Sequence, residues 1–73
     1  MAKANKARLH LEVSLLTKER LENLRQSTDA SSFAEVIRRS LAVYELLWDQ
    51  QSQGVKTVLR SPDGAEEVVR LTP

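Results

Sequence analysis

Between Arg8 and Val13 the chain alternates polar and apolar residues, Arg-Leu-His-Leu-Glu-Val, and no second strand-like run follows until residue 55. Side chains along a strand point to opposite faces with a period of two, so Leu9, Leu11 and Val13 share one face and Arg8, His10 and Glu12 the other. A lone strand has no partner for its backbone groups and no core for its apolar face. It either pairs with its own copy in a second chain or waits for the C-terminus to return to it. That choice decides what the protein can do.

The rest of the composition narrows the field. A chain of 73 residues makes one domain, and at this size association with another chain is a common way to complete a core. With no cysteine and a single histidine, disulfides and thiolate metal sites are excluded and a protein-only zinc site is not expected. The same scarcity, with carboxylates mostly at helical surface spacings, leaves no set of nucleophile, base and orienting group, so neither enzymatic activity nor a cofactor is expected. At 29% charged and 41% hydrophobic residues the chain reads as an ordinary folded domain. No apolar run has the length of a membrane span or a leader, so no membrane partner is expected and the expected location is cytoplasmic.

Net charge is only +1, but its distribution is uneven. Lys3, Lys6, Arg8 and His10 precede the first acid, Glu12, whereas the last thirteen residues set Asp63, Glu66 and Glu67 against Arg70. A polyanionic partner would therefore meet the N-terminal end.

Residues 1–7 contain almost nothing to bury and read as a flexible basic arm. A first helix is expected over 15–28, capped by Ser14 or Thr17, with Leu21 and Leu24 on one face, Leu15 or Leu16 before them, and Lys18, Glu22 and Gln26 on the wet side. Asp29-Ala30-Ser31-Ser32 breaks it. Ser32-Phe33-Ala34-Glu35 then matches a capping box, in which serine and glutamate satisfy each other's backbone donors, and starts a second helix over 33–53 that stops at Gly54. This helix carries two adjoining apolar stripes, 33/37/41/44/48 and 36/40/43/47. One stripe serves the first helix, and the second calls for a further partner, most economically another copy. Val55–Arg60 and Glu66–Leu71 flank the turn former Ser61-Pro62-Asp63-Gly64 and predict a hairpin over 55–71. It is expected to dock near Leu47 and Trp48 or on a neighbouring subunit, with Glu66 and Glu67 on its wet edge.

Strand, short helix, serine-rich turn and longer helix resemble, in order and length, the ribbon-helix-helix family of small Arc- and CopG-like DNA-binding proteins. The similarity covers about Ala7 to Leu47, and its most specific pieces are Arg8–Val13 and Ser31–Tyr44. The resemblance implies a mainly α fold with a short N-terminal strand, completed as a β-α-α homodimer whose two strands (8–13) form an intermolecular antiparallel ribbon within a domain spanning 8–53. The C-terminal hairpin is additional to that minimal fold. It further implies that the ribbon enters the DNA major groove with Arg8, His10 and Glu12 toward base edges. Lys3 and Lys6, with Ser31, Ser32 and the backbone N–H of Phe33 at the second helix N-terminus, then meet phosphates. Leu9, Leu11, Val13, Ile37, Leu41 and Tyr44 form the dimer core, and Trp48 joins Tyr44 as a core or interface aromatic. Arg38 and Arg39 either lie exposed or meet flanking DNA or an acid of the partner.

Two features depart from the family pattern. Glu12 stands where Thr, Asn or a basic residue is more usual, so it either accepts from cytosine or pairs with Arg8 or His10 of the other strand. Leu15 and Leu16 are greasier than the usual start of the first helix, consistent with a dimer of dimers.

On these grounds the expected function is a homodimeric transcriptional repressor or nucleoid-organising protein located at the chromosome. Three alternatives predict different things. An antitoxin would repress through the ribbon and bind a toxin through a C-terminal segment disordered until bound. A symmetric anionic effector, such as a cyclic dinucleotide, would compete with DNA for Arg8 and His10. A monomeric protein-binding α/β module would add the first strand to the hairpin as a three-stranded sheet.

Overall fold

The computed structural model of the protein describes residues 6–72, which form two helices followed by a two-stranded antiparallel sheet. Helix α1 (Leu15–Ser27) starts at Ser14, whose backbone is extended and whose Oγ accepts the Thr17 N–H at 3.1 Å. Of the two candidate caps it is Ser14 that serves; Thr17 lies inside the helix, and its own hydroxyl accepts from Ser14 Oγ. On the outer face Gln26 and Arg25 both donate to the Glu22 carboxylate.

Both helices end in the same way, with different residues. At the end of α1 the Asp29 N–H reaches the Gln26 carbonyl and the Ala30 N–H reaches the Arg25 carbonyl, while Asp29 takes a left-handed φ of 56°. At the end of α2 (Phe33–Ser52) the Gly54 N–H reaches Gln51 and the Val55 N–H reaches Gln50, with Gly54 at φ 89°. These are paired Schellman closures, which satisfy carbonyls that the last turn leaves free and demand a left-handed residue just past the helix. Glycine adopts that conformation without penalty; aspartate does so at a cost. Thr28 and Gln53, expected as the last helical residues, are the C-caps.

The Asp29 turn folds α2 back on α1 and buries Ala30 and Val36, at 5% and 4% exposure, with Leu21 half-buried beside them. Arg39 adds a tie across the turn, donating to the Thr28 carbonyl at 3.4 Å. Among the described residues Ala30 and Val36 are the only buried apolar residues, against seventeen large apolar side chains that remain exposed. The chain exposes 6974 Å²; a compact monomer of its mass would expose about 4,600 Å².

Strands β1 (Thr57–Arg60) and β2 (Glu66–Val69) pair with Thr57 opposite Val69 and Arg60 opposite Glu66. The turn between them closes through Gly64 N–H to Ser61 carbonyl and Ser61 N–H to Ala65 carbonyl, with Gly64 at φ 92° as a three-residue hairpin loop requires. Asp63 caps the turn by accepting the Ala65 N–H, and Arg60 bonds Glu66 across the strands at 2.7–2.8 Å.

The hairpin is fastened to α2 by one side chain. Gln51 donates through Nε2 to Thr57 Oγ1 at 3.0 Å and to the Val69 carbonyl at 2.8 Å, and its Oε1 accepts the Leu71 N–H at 3.2 Å. The hairpin thus docks at the end of α2, as expected; its anchor, Gln51, lies one turn beyond Leu47 and lines a groove with Trp48 and Thr72.

No third strand joins this sheet. Residues 6–14 carry neither helix nor strand in the single chain, and among the described residues the backbone of 6–13 bonds to no other segment. The three-stranded sheet of a monomeric module is therefore not formed. Within one chain the expected strand over 8–13 is not formed either: the hairpin sits at the C-terminal end of α2 and packs on itself and on that helix, away from the segment that enters α1.

Candidate nucleic-acid interface

Arg8, His10 and Glu12 lie fully in solvent on the segment that enters α1, and among the described residues none of them forms an ion pair or side-chain hydrogen bond within the chain. Leu9, Leu11 and Val13, the opposite set, are also exposed, decreasingly toward α1, at 82%, 61% and 41%. Lys6 is exposed, and Lys3 lies outside the described residues.

The second element of the site is the N-terminus of α2. Ser32 is its N-cap, with an extended backbone (φ −163°, ψ 168°), and its Oγ accepts the Glu35 N–H at 3.1 Å. Only half of the expected capping box forms. The Glu35 carboxylate does not return to the Ser32 N–H; it is held by Arg38 and Arg39, the latter at 2.9 Å. Two cations one turn away outcompete a single neutral N–H for the same oxygens. The hydrogen bonds from Arg38 and then Arg39 hold the Glu35 carboxyl below its ordinary range. For an anion approaching the helix the consequence is favourable. The acid that would repel it is neutralised in place, and the Phe33 and Ala34 N–H groups have no acceptor among the described residues. Ser31 and Phe33 flank this opening, both exposed.

The third element is the apolar face of α2. Ile37, Leu41 and Tyr44 are 39%, 55% and 53% exposed. Tyr44 is shared by three adjoining open hollows that together make a trough, one beside Leu21, Ile37 and Leu41, one beside Arg39, Val43 and Leu47, and one beside Leu41, Glu45 and Trp48. All six side chains assigned to a dimer core are therefore uncovered in the single chain. Their placement brings Ile37, Leu41 and Tyr44 onto one helix face, while Leu9, Leu11 and Val13 extend from a segment that no other part of the chain covers.

Three residues with clear structural work carry no strong sequence signal. Gln51 sits in a polar run, Asp-Gln-Gln-Ser-Gln, with nothing to distinguish it from its neighbours. Asp29 reads as a generic turn former, although its left-handed backbone sets the angle between the helices. The Arg39 bond to Thr28 spans eleven residues and follows from that turn alone.

No family model, curated protein or solved structure matches the chain. Among the described residues no group of His, Cys, Asp and Glu side chains is placed to hold a metal ion, and no helix is long and apolar enough to cross a membrane.

Proposed function

We propose that this chain is a homodimeric DNA-binding protein in which residues 8–13 of two copies pair as an antiparallel ribbon and enter the major groove. The observation that carries the proposal is a coincidence in one chain. The segment without a backbone partner bears a basic edge and an apolar edge, and it adjoins a helix whose apolar trough is also uncovered. The 6974 Å² surface exceeds that of a compact monomer by about 2,400 Å² per chain, or about 4,800 Å² over two copies, toward the upper end of the roughly 2,000–5,000 Å² that obligate interfaces bury over both partners. Pairing satisfies the strand backbone, covers Leu9, Leu11 and Val13 against the trough, and doubles Arg8, His10 and the lysine-bearing arms on one face. Arg8 then suits bidentate contact with guanine O6 and N7, and the free N–H groups at Phe33 and Ala34 suit a backbone phosphate.

The biological role that follows is repression or organisation of the chromosome. The antitoxin alternative calls for a C-terminal segment without order of its own; the closed hairpin and its Gln51 clamp favour the first reading. The test is fluorescence anisotropy with duplex DNA over a range of salt. Binding that weakens steeply with salt and is reduced at least tenfold by Arg8→Ala, with circular dichroism unchanged, supports the proposal. Wild-type affinity in a folded Arg8→Ala protein removes the ribbon from it.

A further inference from the structure

We propose that the base of the C-terminal hairpin is a second phosphate-binding site, formed by Lys56 and Arg70. Continuing the strand register one step past Thr57 and Val69 sets Lys56 opposite Arg70. Thr57 bonds Gln51 and so faces α2; by the period of two, Lys56, Val58 and Arg60 fall on the face turned away from the helix, with Arg70, Val68 and Glu66 across from them. Directly opposed like charges destabilise a strand pair. Among the described residues no acid offsets the opposition: the one carboxylate on that face, Glu66, is held by Arg60 at the turn end, and neither Lys56 nor Arg70 has an acidic partner.

The two cations also share a cavity. Both line a groove of about 280 Å³ together with Gly54, Thr57 and Thr72. Lys56 and Arg70 bring an ammonium and a guanidinium to this groove and Thr72 a hydroxyl; the Thr57 hydroxyl is already bonded to Gln51, and Val55, Val68 and Val69 make the rest of the lining largely apolar. Opposed strand residues lie about 5 Å apart at Cβ, so two long cationic side chains converge on one oxyanion without backbone movement. A phosphate group between them replaces repulsion by two charge-assisted contacts. The phosphate belongs either to a polynucleotide backbone or to a free phosphate compound; the site is independent of the ribbon and does not require it.

The experiment is an amide NMR titration of the full chain with pyrophosphate and, separately, with a short DNA duplex, repeated on Lys56→Ala/Arg70→Ala. Pyrophosphate is expected to shift the Gly54, Lys56, Arg70 and Thr72 amides saturably in the wild type and not in the double variant, whose melting temperature stays level or rises as the repulsion is removed. If the duplex shifts the same amides and the variant's salt slope, log K against log salt, falls by about 0.9 for each site, the phosphate is that of a nucleic acid. If pyrophosphate alone shifts them, it is that of a small phosphate compound. The proposal is overturned if neither titrant moves these amides, or if the double variant melts lower with its titrations unchanged, which would mean that the cations serve only the C-terminal dipole of α2. Shifts at residues 8–13 in the duplex arm report on the ribbon separately, so one reading can fail without the other.

Discussion

The two ends of α2 belong to regions finished to different degrees. At its C-terminus every device closes within the chain: Gly54 ends the helix, the Ser61–Gly64 turn reverses the strand, and Gln51 holds both strands by three hydrogen bonds. Apolar surface stays uncovered in both regions, at Val55, Val58, Leu59 and Val68 on the hairpin and around the N-terminal half of the helix. Val36 and Ala30 are covered, whereas the trough at Tyr44 and the segment before α1 are open. Local backbone chemistry is satisfied by neighbours in sequence; hydrophobic burial needs bulk, which in the proposed dimer comes from the second copy. The hairpin thus closes its backbone bonds within the chain, whereas in the proposed dimer the helical half completes its core against a partner copy.

That contrast can be broken by mutation, and the largest effect falls on the open side. Leu41→Ala removes a side chain that is half-exposed in one chain, where the cost would stay within about 0.5 kcal/mol. As a dimer-core residue it costs about 2–5 kcal/mol, read from urea denaturation at fixed protomer concentration. Gln51→Ala sharpens the other side. Losing its three bonds costs the hairpin about 1–3 kcal/mol, seen as faster hydrogen exchange at Thr57–Val69 with helical amides unchanged. Equal loss of protection throughout would show that the two regions are one cooperative unit.

The paired helix ends give a smaller and signed test. Gly54→Ala forces a left-handed alanine into open space and costs about 1 kcal/mol. Asp29→Gly relieves the same conformation and stabilises by up to about 1 kcal/mol, because among the described residues the Asp29 side chain makes no hydrogen bond that would be lost. Thermal denaturation of the two variants should therefore move in opposite directions.

The smallest effect concerns pH. Hydrogen bonds from Arg38 and Arg39 depress Glu35, and one from Arg25 depresses Glu22. A carboxyl whose folded pKa lies below its unfolded value contributes stability above the ordinary value of 4.5, lost as the pH falls through the depressed folded value. Glu35→Gln should thus narrow the difference in melting temperature between neutral and acidic solution, with the variant and the wild type converging in acid.

How much of this was legible beforehand follows the same division. Ser32 and Gly54 announce the boundaries of α2, and Pro62-Asp63-Gly64 announces the hairpin, because each acts on backbone groups a few residues away. The alternation at 8–13 predicts a strand that the single chain does not form, since periodicity fixes which face is apolar and says nothing about what pairs with or covers it. The Gln51 clamp and the Arg38–Glu35–Arg39 cluster escape such a reading for a different reason. Polar side chains choose partners by three-dimensional proximity, and Glu35 had a better offer than the N–H that its position in a capping box assigns to it.

The central claim is that residues 8–13 pair with their own copy. An isotope-filtered NOE experiment on an equimolar mixture of labelled and unlabelled chain tests it most directly. The account predicts interchain contacts between the backbones of Leu9–Val13 about a two-fold axis. Interchain contacts absent from this segment, in a sample whose sedimentation gives the mass of one 8.3 kDa chain, would contradict it.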